Sequence, residues 1–254
     1  MLAGMSAPPA DRNEPLGAII ARMAAAQKSN RNAPGYSRWV NRPIGRVFGA
    51  VAFKAGLTPN AVTGVSALFT FSAIAGIALL PPTPASGLAC ALGLVIGYAL
   101  DSADGQLARL RGGGSPAGEW LDHVVDCFKV TTFHLAIAIM WFLRWTPGPL
   151  PIGSVLVPLA FSVESGVWFF TIILTDLLLR ARGVRADFRA DGEERSSWLT
   201  SLLALPADYG LLCVLIALIG WPVVFVPVYA ALAAANIVLL ALQLGRWYRR
   251  VAAS

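Results

Sequence analysis

With 254 residues, of which 56% are hydrophobic and only 13% are charged, the chain differs from soluble domains, which carry about 25% charged residues. This composition excludes an ordinary soluble domain and predicts an integral membrane protein. The net charge of +6 could indicate a nucleic-acid partner, but the basic residues lie beside apolar segments. Because that arrangement is typical of loops next to anionic headgroups, we expect membrane lipids and no nucleic acid as partners.

The N-terminal region is predicted to have two parts. Residues 1–35 mix proline, alanine and charge, which predicts a cytoplasmic tail, and they lack the compact apolar core of a signal peptide. Residues 36–57 are predicted to form an amphipathic helix in the membrane interface, with Pro43 interrupting it or starting its second part. Its basic face holds Arg38, Arg42 and Arg46, and its apolar face holds Tyr36, Trp39, Val40, Ile44, Val47, Phe48 and Val51.

Six apolar segments are each long enough to cross a bilayer. They are predicted at about 61–80, 86–104, 117–143, 152–181, 203–219 and 222–246. The chain is therefore predicted to be an all-α integral membrane protein, with six transmembrane helices in one domain over 58–254. Pro158 and Glu164 in the fourth segment indicate a kink or a polar cavity.

The distribution of basic residues predicts the orientation. Eight Lys and Arg residues precede the first span, and the second loop, the fourth loop and the C-terminus are also basic. The first and fifth loops carry none. Since cytoplasmic loops are enriched in Lys and Arg, both termini are predicted to be cytoplasmic, in the inner or plasma membrane of the cell.

Four aspartates lie where the second and third spans approach the cytoplasm. Asp101 and Asp104 are three residues apart, and Asp122 and Asp126 are four apart, so on helices each pair shares one face. The glycine-rich turn at 112–116 would bring the two pairs together. Convergent carboxylates need cations among them, and oxygen ligands suit Mg²⁺ or Mn²⁺. The sequence therefore predicts a site for two divalent metal ions at the cytoplasmic face.

The same stretch carries a longer pattern of fixed spacing. It reads DxxDGxxAR, eight residues, then GxxxDxxxD, and it is filled by Asp101, Asp104, Gly105, Ala108, Arg109, Gly118, Asp122 and Asp126. The chain thereby resembles the CDP-alcohol phosphotransferases, which are membrane enzymes with a six-helix catalytic core. The motif covers about a tenth of the chain, and the TPNAVT segment at 58–63 also resembles the family's opening of its first span.

The resemblance implies the site chemistry. Asp101, Asp104 and Asp122 would bind one metal, and Asp101, Asp122 and Asp126 the other. The CDP-alcohol would be bound by Gly105, Ala108, Arg109, Gly118, Ser115, Asn60 and Thr63. A deprotonated hydroxyl of the acceptor would attack the β-phosphorus and release CMP. Homodimers are common among such enzymes, so a homodimer is expected.

Two residues compete for the role of general base. The family pattern assigns it to Asp126. However, the run SPAGEWLDH at 115–123 resembles the corresponding stretch of choline and ethanolamine phosphotransferases, in which a histidine at the position of His123 is a plausible base. Both assignments stay open at the level of sequence.

Acceptor recognition is less well defined by the sequence. Lys129 is the one cation well inside a span, and it would either face an anionic acceptor or balance the aspartates. Arg180 and Arg182 would bind a phosphate on the acceptor or anchor the loop to headgroups. Glu164 is a further candidate for the wall of an acceptor cavity.

The predicted function is transfer of a phospho-alcohol group, with CDP-diacylglycerol as the favoured donor, in phospholipid biosynthesis. The run YSRWVNRPIGRVFG at 36–49 instead resembles di-myo-inositol phosphate phosphate synthases, which implies soluble CDP-inositol and inositol phosphate as an alternative pair. A cation channel or transporter is the alternative of another class, since membrane carboxylates also bind ions. It gives no reason for Gly105, Ala108 and Arg109 at fixed spacing.

Overall fold

The computed structural model describes residues 11–26, 34–184 and 205–254. Within these ranges the secondary structure is entirely helical. Short π or 3₁₀ turns precede α2 and α6 and extend α5 and α7. The helices are α1 (Leu16–Ala25), α2 (Arg42–Lys54), α3 (Pro59–Leu79), α4 (Pro84–Leu110), α5 (Pro116–Met140), α6 (Leu156–Ala181), α7 (Tyr209–Leu215) and α8 (Pro222–Ala253).

Local sequence signals set where the membrane helices begin. Thr58, Thr83 and Ser115 cap α3, α4 and α5, and each is followed by a proline in the first turn. A side-chain oxygen at this position satisfies a free N–H of the first turn, and proline loses no hydrogen bond there. These signals fix where α3 and the two aspartate-bearing helices, α4 and α5, begin.

Five helical segments among the described residues are long and apolar enough to cross a membrane, which confirms an integral membrane protein. They are Pro59–Leu79, Pro84–Leu110, Pro116–Trp145, Ile152–Ala181 and Pro222–Ala253. The segment predicted at 203–219 differs, because its described helical part, Tyr209–Leu218, is short. Ten residues rise about 15 Å, half of a hydrocarbon core of about 30 Å. The described residues thus contain five full-length spans, not the six predicted.

The predicted interfacial helix is present as a π turn at Ser37–Asn41 followed by α2, with Pro43 in the first turn of α2. Its interfacial location remains a prediction. The large apolar side chains Trp39, Val47 and Val51 are exposed, as a lipid-facing surface requires. The face of α2 that contacts α4 carries small residues. At Gly45 the two helices are so close that an added Cβ would meet Ser102 of α4.

Helices α3 and α4 pack closely because α4 presents glycines to α3. A Cβ at Gly97 would lie 3.1 Å from the backbone nitrogen of Thr70 and 3.2 Å from the carbonyl oxygen of Ser66. The Ser66 hydroxyl donates a hydrogen bond of 2.8 Å to the carbonyl of Gly97. Small residues and hydroxyls at helix contacts are typical of membrane proteins. This contact brings Thr63 of α3 next to the first aspartates of α4.

We expect Gly97→Val to destabilise the fold by about 1–3 kcal/mol, because the added carbons overpack a contact between two backbones. Thermal unfolding in detergent, followed by tryptophan fluorescence, measures the change. Gly64→Val is the matched control, since Gly64 is exposed on α3 and a Cβ there meets no atom within 4 Å. Equal unfolding temperatures for the two variants would contradict close packing at Gly97.

Candidate active site

The site is built on the hairpin of α4 and α5. Asp101 and Asp104 lie near the end of α4, and Asp122 and Asp126 lie in the first turns of α5. In the turn between the helices, Gly112 and Gly113 have φ values of 95° and 129°, a region that favours glycine. The turn brings Asp101 of the first pair together with Asp122 and Asp126, so the predicted convergence holds for three of the four aspartates and not for Asp104.

Three of the four aspartates form one cluster. Carboxylate oxygens of Asp101, Asp122 and Asp126 all lie within 4.8 Å of one another, and the three residues are partly buried. Asp104 stands apart from the cluster and is 6% exposed. It accepts a hydrogen bond of 2.5 Å from the hydroxyl of Thr63. Hard oxygen donors at this separation suit a divalent cation such as Mg²⁺ or Mn²⁺.

Lys129 lies within the acidic cluster. Its ammonium nitrogen is 3.1 Å from Asp101 Oδ2 and forms an ion pair with Asp126, one turn earlier on α5. The rings of Tyr98 and Tyr209 flank the same nitrogen, with centroids at 5.8 and 5.3 Å. The residue as a whole is only 6% exposed. Of the two roles considered for Lys129, this position supports balancing the aspartates.

A cavity of about 660 Å³ opens beside the cluster. It is lined by Asp104 and Asp122, by Glu119, His123 and Arg180, and by all seven residues expected to contact a CDP-alcohol: Asn60, Thr63, Gly105, Ala108, Arg109, Ser115 and Gly118. Six of the eight motif positions thus line one concave surface, and Asp101 and Asp126 do not. Ser115 also has a structural role, because its hydroxyl accepts a 3.1 Å hydrogen bond from the N–H of Gly118.

The two candidate bases occupy different positions. His123 lines the cavity, with Nε2 3.8 Å from Glu119 Oε1. Asp126 does not line it, and its carboxylate is engaged by Lys129. The geometry therefore leaves both residues as candidates for the general base. His123 faces the cavity, and Asp126 belongs to the carboxylate cluster beside it.

The four acceptor-binding candidates do not converge. Arg180 lines the cavity, where it donates a 2.8 Å hydrogen bond to Glu119 and pairs with Asp176. Arg182 points elsewhere and donates 2.8 Å hydrogen bonds to the carbonyl of Val251 and to the Ser254 hydroxyl at the end of α8. Lys129 is enclosed by the aspartates, and Glu164 lines a separate cavity.

Sequence reasoning missed two contributions to the site. Arg111 lines the cavity and donates a 2.7 Å hydrogen bond to the carbonyl of Leu57, which ties the end of α4 to the start of α3. Its position two residues after Arg109, within the eight-residue spacer of the motif, was an available signal. Tyr209 contacts Lys129 from a distant part of the chain, and no spacing in the sequence predicts that contact.

The site agrees with the comparisons with known proteins. The profile of the CDP-alcohol phosphatidyltransferase family matches residues 56–245. The chain therefore belongs to this family of membrane-embedded transferases of phospholipid biosynthesis.

Two relatives of known function are similar over part of their length. Phosphatidylinositol phosphate synthase of Corynebacterium glutamicum is 32% identical over 158 residues, covering 60% of this chain and 64% of the relative. Cholinephosphotransferase 1 of Xenopus laevis is 32% identical over 98 residues, covering 36% of this chain and 24% of the relative. The matched regions thus span less than two thirds of either relative.

Two solved structures of phosphatidylinositol phosphate synthase from Mycobacterium tuberculosis share the fold. The structure with CDP-DAG bound has a TM-score of 0.52 and 24% identity, covering 82% of this chain and 94% of that one. The complex with manganese and citrate has a TM-score of 0.50 and 23% identity, covering 82% and 89%. At these identities the likeness establishes the fold.

Proposed function

We propose that the protein transfers a phosphatidyl group from CDP-diacylglycerol to a hydroxyl acceptor and releases CMP. The observation that carries the proposal is that six of the eight positions of the family motif line one cavity of about 660 Å³, beside the three clustered carboxylates. The synthase of the same fold that binds CDP-DAG supports the choice of donor. In this reaction the acceptor oxygen bonds to the β-phosphorus, the bond to the bridging oxygen breaks, and CMP leaves with that oxygen.

Two divalent metal ions are part of the proposal. Asp101, Asp104 and Asp122 would hold one ion, and Asp101, Asp122 and Asp126 the other. The second set is the cluster whose oxygens lie within 4.8 Å of one another, so the residues fit a hard cation. When bound, the ions would neutralise the diphosphate and make the β-phosphorus more electrophilic.

The chain's own residues would bind and orient the donor. Arg109 lies in the cavity wall, where its guanidinium can form charge-assisted hydrogen bonds with phosphate oxygens. Gly105 and Gly118 lack side chains, which allows a ligand to approach the backbones of α4 and α5. The Thr63 hydroxyl fixes one oxygen of Asp104 and so orients the other. The proton of the acceptor hydroxyl would pass to Asp126 or His123.

The proposed topology places this site at the cytoplasmic face, with both termini in the cytoplasm. Contacts support the part of this topology that puts the site and the C-terminus on one side of the membrane. The ion pair of Arg180 with Glu119 joins the end of α6 to the start of α5, and the hydrogen bond from Arg182 to Val251 joins the end of α6 to the end of α8. The end of α6, the start of α5 and the end of α8 therefore lie together. Gly220, after α7, lies against Thr83 and Pro84 at the opposite end. A sixth crossing that includes the short α7 would connect the two ends. The homodimer remains a prediction.

The test is metal-dependent release of CMP by the full-length protein in nanodiscs. We expect release from CDP-diacylglycerol with Mg²⁺ or Mn²⁺ and one acceptor of a panel containing inositol phosphate, glycerol phosphate, serine and amino alcohols. Release of CMP from CDP-inositol and not from CDP-diacylglycerol would show that CDP-inositol is the donor. Cation flux across vesicles without CMP release from either donor would contradict the transferase and favour a channel or transporter.

A further inference from the structure

A second cavity, of about 120 Å³, lies among α5, α6, α7 and α8. It shares no lining residue with the larger cavity. On α5 it is lined by Val130 and His134, whereas the larger cavity is lined by Asp122 and His123. The step from Asp122 to His134 corresponds to about 18 Å of helix. The second cavity therefore lies deeper in the membrane domain than the donor cavity.

One buried carboxylate, that of Glu164, lies in the wall of this cavity. Glu164 is 5% exposed, and its Oε2 accepts a 3.2 Å hydrogen bond from the hydroxyl of Ser165. In the described part of the chain, no Lys, Arg or His nitrogen forms an ion pair with it. The His134 ring in the same wall is instead bonded through Nδ1 to the Tyr229 hydroxyl at 2.7 Å. An ionised carboxylate that is buried without a counter-ion is costly, so the group either takes up a proton or is neutralised by a bound cation.

Aromatic side chains form much of the remaining wall. Phe161, Trp168, Phe169 and Tyr209 all line the cavity together with His134. Several are held by other rings, since His134 stacks on Phe161 with centroids 3.9 Å apart and Trp168 packs edge-on against Trp247 of α8 at 5.4 Å. Fixed aromatic rings around a carboxylate are the arrangement that binds alkylammonium groups by cation–π attraction and charge.

We infer that the second cavity is a binding site for a small alkylammonium group, with Glu164 as its counter-ion. Its volume leaves room for several non-hydrogen atoms beyond a single water. Such a group could belong to an amino-alcohol acceptor or to the headgroup of an ethanolamine lipid. The inference concerns binding alone, so its failure is distinguishable from failure of the proposed transferase, which is read by CMP release.

The test compares choline with 3,3-dimethyl-1-butanol, which has the same shape without the charge. The full-length protein is used in nanodiscs of phosphatidylglycerol, which lack any ammonium headgroup. We expect choline to raise the unfolding temperature in a saturable manner and the neutral alcohol not to do so. Equal effects of the two compounds, or no effect of choline, would overturn the inference.

Two variants locate the site. Glu164→Gln preserves shape and is expected to weaken choline binding by about tenfold or more, because it removes the charge partner. Glu119→Gln, the same change in the donor cavity, is expected to leave choline binding unchanged. If Glu164→Gln bound choline as tightly as the wild type, the assignment would fail even though choline bound elsewhere.

Two further experiments identify the molecule that carries the ammonium group. If amino alcohols support CMP release and Glu164→Gln raises their KM more than it lowers kcat, the group belongs to the acceptor. If the unfolding temperature rises instead in nanodiscs containing phosphatidylethanolamine, and Glu164→Gln loses that rise, the group belongs to a lipid. Failure of choline to bind overturns the inference whatever these two experiments give.

Discussion

Asp126→Asn is expected to slow CMP release by about 10²–10⁴-fold, the range found for loss of a general base. The substitution also removes a carboxylate from the cluster in which oxygens of Asp101, Asp122 and Asp126 lie within 4.8 Å of one another. The rate should therefore be measured at saturating Mn²⁺, with Mn²⁺ binding followed independently by electron paramagnetic resonance. We expect binding to weaken as well, because an amide oxygen is a poorer ligand than a carboxylate.

The paired variant His123→Gln separates the two candidate bases. His123 lines the cavity but lies outside the carboxylate cluster, so its loss should leave Mn²⁺ binding unchanged. If Asp126 is the base, we expect His123→Gln to lower the rate far less than Asp126→Asn does. A loss as large as that of Asp126→Asn, with normal Mn²⁺ binding, would assign the base to His123. Full activity of Asp126→Asn would contradict the roles of Asp126 as general base and as metal ligand.

Lys129→Met is expected to make the stability of the protein depend on metal. In the structure the buried ammonium neutralises Asp101 and Asp126 at once. Removal of one partner of a buried ion pair costs about 3–5 kcal/mol, because the remaining charges lose their compensation. A divalent ion at the same carboxylates can restore that compensation. The variant should therefore unfold at a much lower temperature in chelator, and Mn²⁺ should raise its unfolding temperature more than it does in the wild type.

Two control variants make this result specific. Lys129→Arg keeps the charge and should show a Mn²⁺ response close to that of the wild type. Lys54→Met removes an exposed lysine whose ammonium donates to the carbonyl of Glu14, and it should change neither stability nor metal response appreciably. An equal Mn²⁺-induced rise in Lys129→Met and in the wild type would show that Lys129 and the metal do not share ligands.

The main elements of the site could be predicted from the sequence because they depend on local periodicity. Spacings of three and four residues place Asp101 with Asp104, and Asp122 with Asp126, on single helix faces. The glycine-rich turn then leaves few ways to arrange the two helices. The lengths of the apolar segments similarly predict the five long spans, since the thickness of a bilayer sets the number of residues required.

The tertiary structure decided what depends on contacts between distant segments. Tyr209 approaches Lys129 across 80 positions of the chain, and hydropathy cannot show that the helix at Tyr209–Leu218 is short enough to pack inside the bundle. Arg180 and Arg182 appeared equivalent in the sequence. Arg180 and Arg182 are two positions apart, which on a helix corresponds to about 200° around the axis. Arg180 therefore faces the cavity, whereas Arg182 faces the end of α8.

For Glu164, too, the sequence and the tertiary structure each supplied a part of the description. Hydropathy identified a carboxylate in an apolar span and predicted a polar cavity near it. Only the packing of α5, α6, α7 and α8 showed that this cavity is separate from the donor cavity and has aromatic walls. The sequence by itself thus determined the membrane class, the family motif and the acidic cluster, because these follow from spacing along single helices. The partners of Lys129 and Glu164 were decided by the tertiary structure, because they come from other helices.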